Sequence, residues 1–158
     1  MSNNIYVAAP FFTSDQIARA QKVFQLLRLN PTVNQVDGIF MPMVHQNEEL
    51  AFGSEAWQDA TFRSDVRQID RADAVVAVLD FKNEEQNFVP DSGTMWEVGY
   101  AFAHNKPVIM IKFSQEGELN LMLAKSYTAF FDGNDNIDKL KNYDFSELKQ
   151  IYTSYPVF

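Results

Sequence analysis

The stretch Ala74-Val75-Val76-Ala77-Val78-Leu79 is apolar at every position. A strand with one face in water alternates apolar and polar residues, whereas a strand covered on both faces of a parallel sheet does not. We therefore predict a fully buried strand at 74–79. Another continuous apolar run, at 108–111, predicts a further strand.

Strand and helix patterns alternate on both sides of these runs. Further strands are predicted at 5–9, 39–44 and 127–131, and helices at 13–29, 54–71, 91–105 and 119–124. Pro42 interrupts the strand at 39–44, which is expected to be short or near an edge. A charged loop is expected at 82–89, a turn at 132–134, and a final helix or two after the turn. The alternation predicts one α/β domain over 1–158, doubly wound and flavodoxin-like or Rossmann-like, with about five parallel strands and helices on both faces.

Ligands of such sheets bind beyond the carboxyl ends of the strands. The loops that follow the predicted strands should therefore carry the chemistry, at 8–12, 43–47, 80–91 and 113–120.

Composition limits the partners of the chain. It has 158 residues, a net charge of −8 and no cysteine. A phosphate backbone needs a basic surface, so we predict no nucleic-acid polymer as a partner, although a free nucleobase or nucleoside remains compatible. The lack of cysteine excludes disulfides and thiolate sites and fits a cytoplasmic protein. No signal peptide is visible, and no apolar run approaches the roughly 20 residues that span a bilayer, so no membrane partner is expected.

The most informative polar residue is Glu97, which lies inside the apolar run 95–103. Acidic residues are almost never fully buried without a partner or a task, and burial opens the pKa of a carboxyl to tuning. Just upstream, Asp91 or Ser92 is placed to cap the helix, and the helix dipole favours Asp91. Two acids on one helix suggest an active site. The alternative is a boundary residue whose head group reaches water or pairs with a lysine.

Other site types lack support in the sequence. Neither G-x-G-x-x-G nor G-x-x-x-x-G-K-[ST] occurs, so dinucleotide and triphosphate cradles are not indicated. The two histidines, His45 and His104, are not spaced with acids as a metal site needs, and His104 is expected to have a structural role. Asp80 ends a strand, as the phosphoacceptor of a phosphorylated receiver domain would. Such a domain is nevertheless disfavoured, because residues 9–12 offer no ligand for Mg²⁺. An acid-based site remains, formed by Glu97, Asp91 and Asp65. Asp65 has less support than the other two, because several acids share its stretch of sequence and most of them are expected to be solvated or to cap helices.

Four sequence blocks follow one another in an order that resembles a known family. They are Ile5-Tyr6 with Phe11-Phe12, Trp57-x-Asp59-Ala60-Thr61-x-x-x-Asp65, Asp91-x-Gly93-x-x-Trp96-Glu97-Val98-Gly99-Tyr100-Ala101, and Leu119-Asn120-Leu121-Met122. Together they resemble the nucleoside 2-deoxyribosyltransferases of lactic-acid-type bacteria, over nearly the whole chain.

The resemblance implies a reaction and a set of roles. The 2-deoxyribosyl group would move between nucleobases through a covalent intermediate on Glu97, with retention and with neither metal nor organic cofactor. Tyr6 would orient Glu97, and Asp65 would manage the proton of the base. The sugar 5′-hydroxyl would be held by Asp91 and by Asn120 of a neighbouring subunit. The walls around base and sugar would come from Phe11, Gln46 and Met122.

Alternatives stay open beside these roles. Tyr6 is equally a core residue of a first strand, Phe11 a cap over the sheet and Asn120 the cap of a short helix. A hydrolase of deoxynucleosides or their monophosphates would use the same intermediate, and a nucleoside-binding module would use none. The family implies a homo-oligomer, a hexamer built from dimers, acting on deoxynucleosides and free nucleobases. Some relatives end in Tyr where this chain has Phe158, which puts any role of a terminal phenol in doubt.

Overall fold

A parallel sheet forms the centre of the molecule. The computed structural model describes residues 2–82 and 88–158. Within those residues the strands are β1 Ile5–Ala8, β2 Ile39–Phe40, β3 Ala74–Val78, β4 Phe81–Lys82, β5 Phe88–Val89, β6 Val108–Lys112 and β7 Ala129–Asp132. Five of them form one sheet in the order β2-β1-β3-β6-β7, and every pairing in it is parallel. This order, with the first strand beside the second and third, is that of flavodoxin-like folds and confirms the predicted fold class.

Helices cover both faces of this sheet. They are α1 Ser14–Arg28, α2 Glu55–Arg71, α3 Ser92–Ala103, α4 Leu121–Ala124 and α5 Gly133–Ile137, with 3₁₀ turns at Pro42–Val44 and Asp138–Asn142. Buried residues of α1, α5 and the second 3₁₀ turn share one core with one face of the sheet, and those of α2 and α3 share the other. The site must therefore be sought where these layers meet the carboxyl ends of the strands.

Strand β1 divides its side chains between the two cores. Ile5 and Val7 pack on the α1 side, whereas Tyr6 and Ala8 pack on the side of α2 and α3. Successive side chains of a strand point to opposite faces, so this division follows from the sequence position alone. It directs the phenol of Tyr6 toward the helices that carry the candidate acids.

The starts of the three long helices agree with the predictions. Thr13 caps α1 with a full capping box, and Ser54 caps α2 by accepting from the backbone N–H of Trp57. Asp91 caps α3 by accepting from the backbone N–H of Thr94. Ser, Thr and Asp are the residues that best satisfy the free N–H groups of a helix start.

Several predicted elements are wrong in extent or type. The strand expected at 39–44 is short and at the edge of the sheet, as predicted, but it ends at Phe40, because Pro42 lacks an N–H for the ladder and instead opens a 3₁₀ turn. The turn expected at 132–134 is the start of α5, where Gly133 has a φ of 71°. The helix expected at 119–124 begins only at Leu121, since Leu119 forms a bridge with Val157.

The segment 82–89 also differs from its expectation, whereas the tail agrees with it. A short antiparallel pair, β4 with β5, closes the ends of the predicted loop, and residues 83–87 lie outside the described part of the chain. The tail was expected to hold a final helix or two. α5 and the 3₁₀ turn that follows it meet this expectation, and residues 143–158 form no further helix but a turn at 145–148 and bridges to Ala129 and Leu119.

Candidate active site

A cavity opens at the carboxyl end of β1, where the loop to α1 meets α2 and α3. Its volume is about 460 Å³. The residues that line it are Ala9, Pro10, Phe11, Phe12, Pro42, Gln46, Phe52, Trp57, Thr61, Asp65, Asp91, Gly93, Thr94 and Glu97. Five predicted site residues thus lie together, namely Phe11, Gln46, Asp65, Asp91 and Glu97. The location matches the rule that ligands of open α/β sheets bind beyond the strand ends.

Tyr6 lies behind this cavity and holds Glu97. The fully buried phenol donates a hydrogen bond of 2.5 Å to Oε1 of Glu97. Burial, and after it the charge of Glu97, raises the pKa of Tyr6 well above its usual range, so the phenol stays protonated and remains a donor. A short bond of this kind favours the ionised carboxylate and restricts its rotation. Oε2 is left for chemistry in the cavity.

Burial is the main influence on the two facing acids. It raises the pKa of Glu97 from 4.5 to about 7; the hydrogen bond from Tyr6 lowers this pKa, and the charges of Asp65 and Asp91 raise it. Burial likewise raises the pKa of Asp65 from 3.8 to about 6. Two carboxyls with pKa values near neutrality in one cavity can both accept and release protons at physiological pH.

Asp65 has an unused oxygen. Its Oδ1 is buried and accepts no hydrogen bond from any residue that the structure describes. Buried polar atoms are almost always satisfied, so an unsatisfied one that borders a cavity is suited to a donor on a ligand. An N–H of a nucleobase, or a water that bridges to it, has the required chemistry.

Asp91 joins the cap of α3 to the cavity wall. Its Oδ2 accepts from the backbone N–H of Thr94 at 2.9 Å and from the hydroxyl of Thr94 at 3.1 Å. Both bonds fix the carboxylate at the mouth of the helix, about 1.7 turns before Glu97. Its other oxygen, Oδ1, is suited to accept from a ligand hydroxyl.

Aromatic side chains form much of the remaining wall. The rings of Phe11 and Phe12 stack at 5.5 Å, and those of Phe52 and Trp57 lie 4.6 Å apart. Trp57 also donates its indole N–H to the backbone carbonyl of Gln46 at 2.9 Å. Flat apolar walls with a few fixed polar groups are suited to a planar heterocycle.

The roles of Trp57, Thr61 and Phe52 as cavity walls were missed at the level of sequence. Trp57, Thr61 and Asp65 follow one another at four-residue spacing on α2, so they share one helix face. That periodicity was a usable signal. Phe52 lies in a loop, where no periodicity points to the cavity.

Asn120 and Met122 do not join the cavity of their own chain. Asn120 caps α4 by accepting from the backbone N–H of Met122 at 2.9 Å, as its structural alternative predicted. Both residues instead line a groove of about 790 Å³ between α3 and α4. The groove is apolar, and its side chains are open to solvent, with Phe102 exposed by 55%, Leu121 by 52% and Met122 by 75%.

The other polar residues singled out in the sequence have structural contacts. Asp80 accepts from the backbone N–H groups of Phe113 at 2.5 Å and Ser114 at 2.8 Å, and so anchors the loop after β6. His45 stacks on Phe40 at 4.5 Å, and His104 ends α3 and stacks on Tyr100 at 4.1 Å.

Across residues 2–82 and 88–158, no three His, Asp or Glu side chains are grouped to hold a metal ion. No helix in the same part of the chain is both long and apolar enough to span a membrane.

Comparison with known proteins gives a consistent result. A family model described as nucleoside 2-deoxyribosyltransferase matches residues 5–129. A curated nucleoside deoxyribosyltransferase from Limosilactobacillus fermentum is 30% identical over 167 residues, which cover 99% of this chain and 95% of that protein. The solved structure of a 2-deoxyribosyltransferase from Bacillus psychrosaccharolyticus has a TM-score of 0.80 and 31% identity, covering 95% of this chain and 98% of that one. A 2-desoxiribosyltransferase from Leishmania mexicana shares the fold alone, with a TM-score of 0.52, 21% identity and coverage of 71% of this chain and 65% of that one.

Proposed function

The chain belongs to the nucleoside 2-deoxyribosyltransferase family of glycosyltransferases, and we propose that it exchanges the base of a 2-deoxyribonucleoside through a covalent ester on Glu97. The observation that carries this proposal is the carboxylate of Glu97, partly buried and oriented by Tyr6, on the wall of an aromatic cavity. The same wall holds two further acids, Asp65 and Asp91. An oxocarbenium-like transition state gains most from a carboxylate that is close and poorly hydrated.

The first step forms one bond and breaks one. An oxygen of ionised Glu97 attacks C1′ of the donor, and the bond from C1′ to the base nitrogen breaks with its electron pair passing to the base. Asp65 donates a proton to that base, directly or through a water. Its raised pKa, about 6, supports a role as a proton donor near neutral pH.

The second step reverses the first with a different base. A nitrogen of the acceptor base attacks C1′ from the vacated side, the ester bond to Glu97 breaks, and the acceptor's proton passes to Asp65. Two displacements at C1′ give net retention, as in retaining glycosidases. Neither a metal nor an organic cofactor is needed for this balance.

The proposed substrate is an unphosphorylated nucleoside. The carboxylate of Asp91, fixed by Thr94, can accept a hydrogen bond from a sugar 5′-hydroxyl but would repel a 5′-phosphate. Phe11 and Gln46 line the same cavity as Glu97, and we assign them to the base. The cysteine-free sequence is compatible with a cytoplasmic location, which stays a prediction.

We further propose that the site is completed by a second copy of the chain. The solvent-open groove between α3 and α4 carries Asn120 and Met122 away from Glu97 of their own subunit. Burial of Phe102, Leu121 and Met122 against a neighbour would remove a large apolar surface from water and bring Asn120 toward that neighbour's sugar site. We therefore propose a homo-oligomer; a hexamer is the form that the family resemblance implies.

Incubation of deoxyinosine with adenine tests the proposed activity. We expect deoxyadenosine and hypoxanthine in equal amounts. Free deoxyribose without deoxyadenosine would identify a hydrolase instead, and no product would indicate a binding module. In a parallel reaction, a deoxynucleoside 5′-monophosphate as donor should react far more slowly than the nucleoside, and equal rates would contradict the role of Asp91.

The proposed state of Glu97 predicts a pH dependence. Because Glu97 must be ionised while Asp65 still holds a proton, kcat/KM should be bell-shaped in pH, with its limbs near 6 and 7, the pKa values of Asp65 and Glu97. Tyr6→Phe removes the hydrogen bond that lowers the pKa of Glu97, so the maximum of kcat/KM should fall and the alkaline limb should move to higher pH. Near neutral pH we expect kcat/KM of the variant to be lower than that of wild type by roughly 10- to 100-fold, and this difference should shrink in more alkaline buffer as Glu97 ionises in both proteins. A uniform loss at all pH values would contradict the role of the phenol in tuning Glu97.

A further inference from the structure

The loop between β1 and α1 supplies four consecutive residues, 9–12, to the wall of the cavity. One end of this loop is fixed, because Ala8 is paired with Ala77 in the centre of the sheet. The other end reaches the first turn of α1 at Thr13. Since Phe11 and Phe12 lie between these points, their position depends on how firmly the second end is held.

Gln16 holds that second end. Its side-chain Oε1 accepts from the backbone N–H of Phe12 at 2.7 Å and from that of Thr13 at 3.1 Å. Its own backbone N–H donates to the hydroxyl of Thr13 at 3.3 Å. A capping box requires only the bond to Thr13, so the shorter bond to Phe12 is additional.

Gln16 is also unusually buried for an amide side chain in a first helical turn. Only 5% of it is exposed, whereas Phe12 is exposed by 69%. A polar side chain is buried to this extent only when it has hydrogen-bond partners. The amide therefore lies beneath the loop and secures its backbone, while the two phenyl rings remain free to meet a ligand.

We infer that Gln16 is a positioning residue that holds Phe11 and Phe12 as the base-facing wall of the cavity. The expected effect of Gln16 on base binding rests on the proposed function, since that function assigns the wall to the nucleobase. Gln16 itself does not line the cavity and acts only through the backbone of the loop.

Gln16→Met tests the inference, because methionine keeps the length and helix propensity of the side chain but lacks the acceptor. Hydrogen exchange should show the amides of Phe12 and Thr13 losing protection by about tenfold or more. In the base-exchange assay, KM for the acceptor base should rise by about tenfold while kcat changes by less than about threefold, because binding of the base is weakened equally in ground and transition states.

Two further variants separate positioning from general stability. Gln16→Glu keeps an oxygen at the same place, where the helix dipole also favours a negative charge, and should restore protection and KM. Gln21→Met makes the same change at an exposed position of α1 and should behave as wild type.

Several results would overturn the inference. They are unchanged amide protection in Gln16→Met, lost protection with an unchanged KM, failure of Gln16→Glu to restore either, or an equal effect in Gln21→Met. The hydrogen-exchange measurement needs no catalytic turnover. A wild-type chain without transferase activity would therefore refute the proposed function, while hydrogen exchange would still test the contact between Gln16 and the loop.

Discussion

Glu97→Gln is expected to lower kcat for base exchange by about 10⁴- to 10⁶-fold, the range seen when single members of a catalytic triad are removed. The amide has nearly the shape of the carboxylate and can still accept the hydrogen bond from Tyr6. It is neutral and does not form the ester with C1′, so both displacement steps are lost. Initial rates of deoxyadenosine formation from deoxyinosine and adenine measure the effect.

The fold of this variant should be intact, and the reason lies in the pKa of the replaced group. Because the pKa of Glu97 is raised from 4.5 to about 7 in the folded chain, the stability that it contributes is complete below 4.5 and is lost as pH rises through about 7. Glu97→Gln removes the buried charge, so its melting temperature near pH 8 should not fall below that of wild type.

Asp59→Asn is the matched control for Glu97→Gln. It removes one negative charge from an exposed site on α2, where the side chain is 68% accessible, and should leave kcat unchanged. If Glu97→Gln kept more than about a tenth of wild-type activity, the covalent mechanism would be refuted.

Phe102→Lys is expected to separate the subunits and to lower kcat/KM by about 100-fold or more, because an ammonium group would be buried without a partner in the apolar contact. Phe102 is exposed by 55% near the end of α3 in the single chain, and a cation at a helix C-terminus is favourable there. The isolated chain should therefore fold normally. Light scattering gives the mass, circular dichroism the fold, and the exchange assay the activity.

Val36→Lys provides the control for Phe102→Lys. Val36 is an apolar residue with 91% exposure in the loop before β2, away from α3 and α4, so the same charge there should change neither mass nor rate. A monomeric Phe102→Lys with full activity would contradict a shared site.

A mixing experiment tests sharing directly. Glu97→Gln and Asn120→Ala chains, each weak alone, should regain part of the activity when dissociated and reassembled together. Some interfaces of the mixture then combine an intact Glu97 with an intact Asn120 from the neighbour. No gain over the sum of the two separate activities would argue that each chain builds its site alone.

Much of the fold followed from patterns that are local in sequence. The unbroken apolar run at 74–79 predicted a buried strand, and β3 spans Ala74–Val78. The three long helices were predicted to start near Thr13, Ser54 and Asp91, and such starts are visible locally because a capping residue needs only its own first turn. The errors at Pro42 and Gly133 arose because each residue type occurs in two local structures. Proline can end a strand or open a 3₁₀ turn, and glycine can form a turn or start a helix.

The candidate site was predictable in part, for a different reason. An acid inside an apolar helix is conspicuous by itself, so Glu97 could be found without a fold. The partnership of Glu97 with Tyr6 joins residues 91 positions apart and came from the family resemblance, because no local pattern encodes it. The placement of Phe52 depends on loop geometry, and the proposed placement of Asn120 and Met122 opposite a neighbour's site would depend on a second chain.

Chemical trapping on Glu97 is the most direct test of the central claim. A donor that carries fluorine at C2′ in the arabino configuration withdraws electrons from C1′ and slows the breakdown of a glycosyl ester. After incubation without an acceptor base, peptide mass spectrometry should find the fluorosugar attached to the side chain of Glu97. Attachment to another residue, or steady transfer of the donor sugar with no adduct at Glu97, would contradict the account.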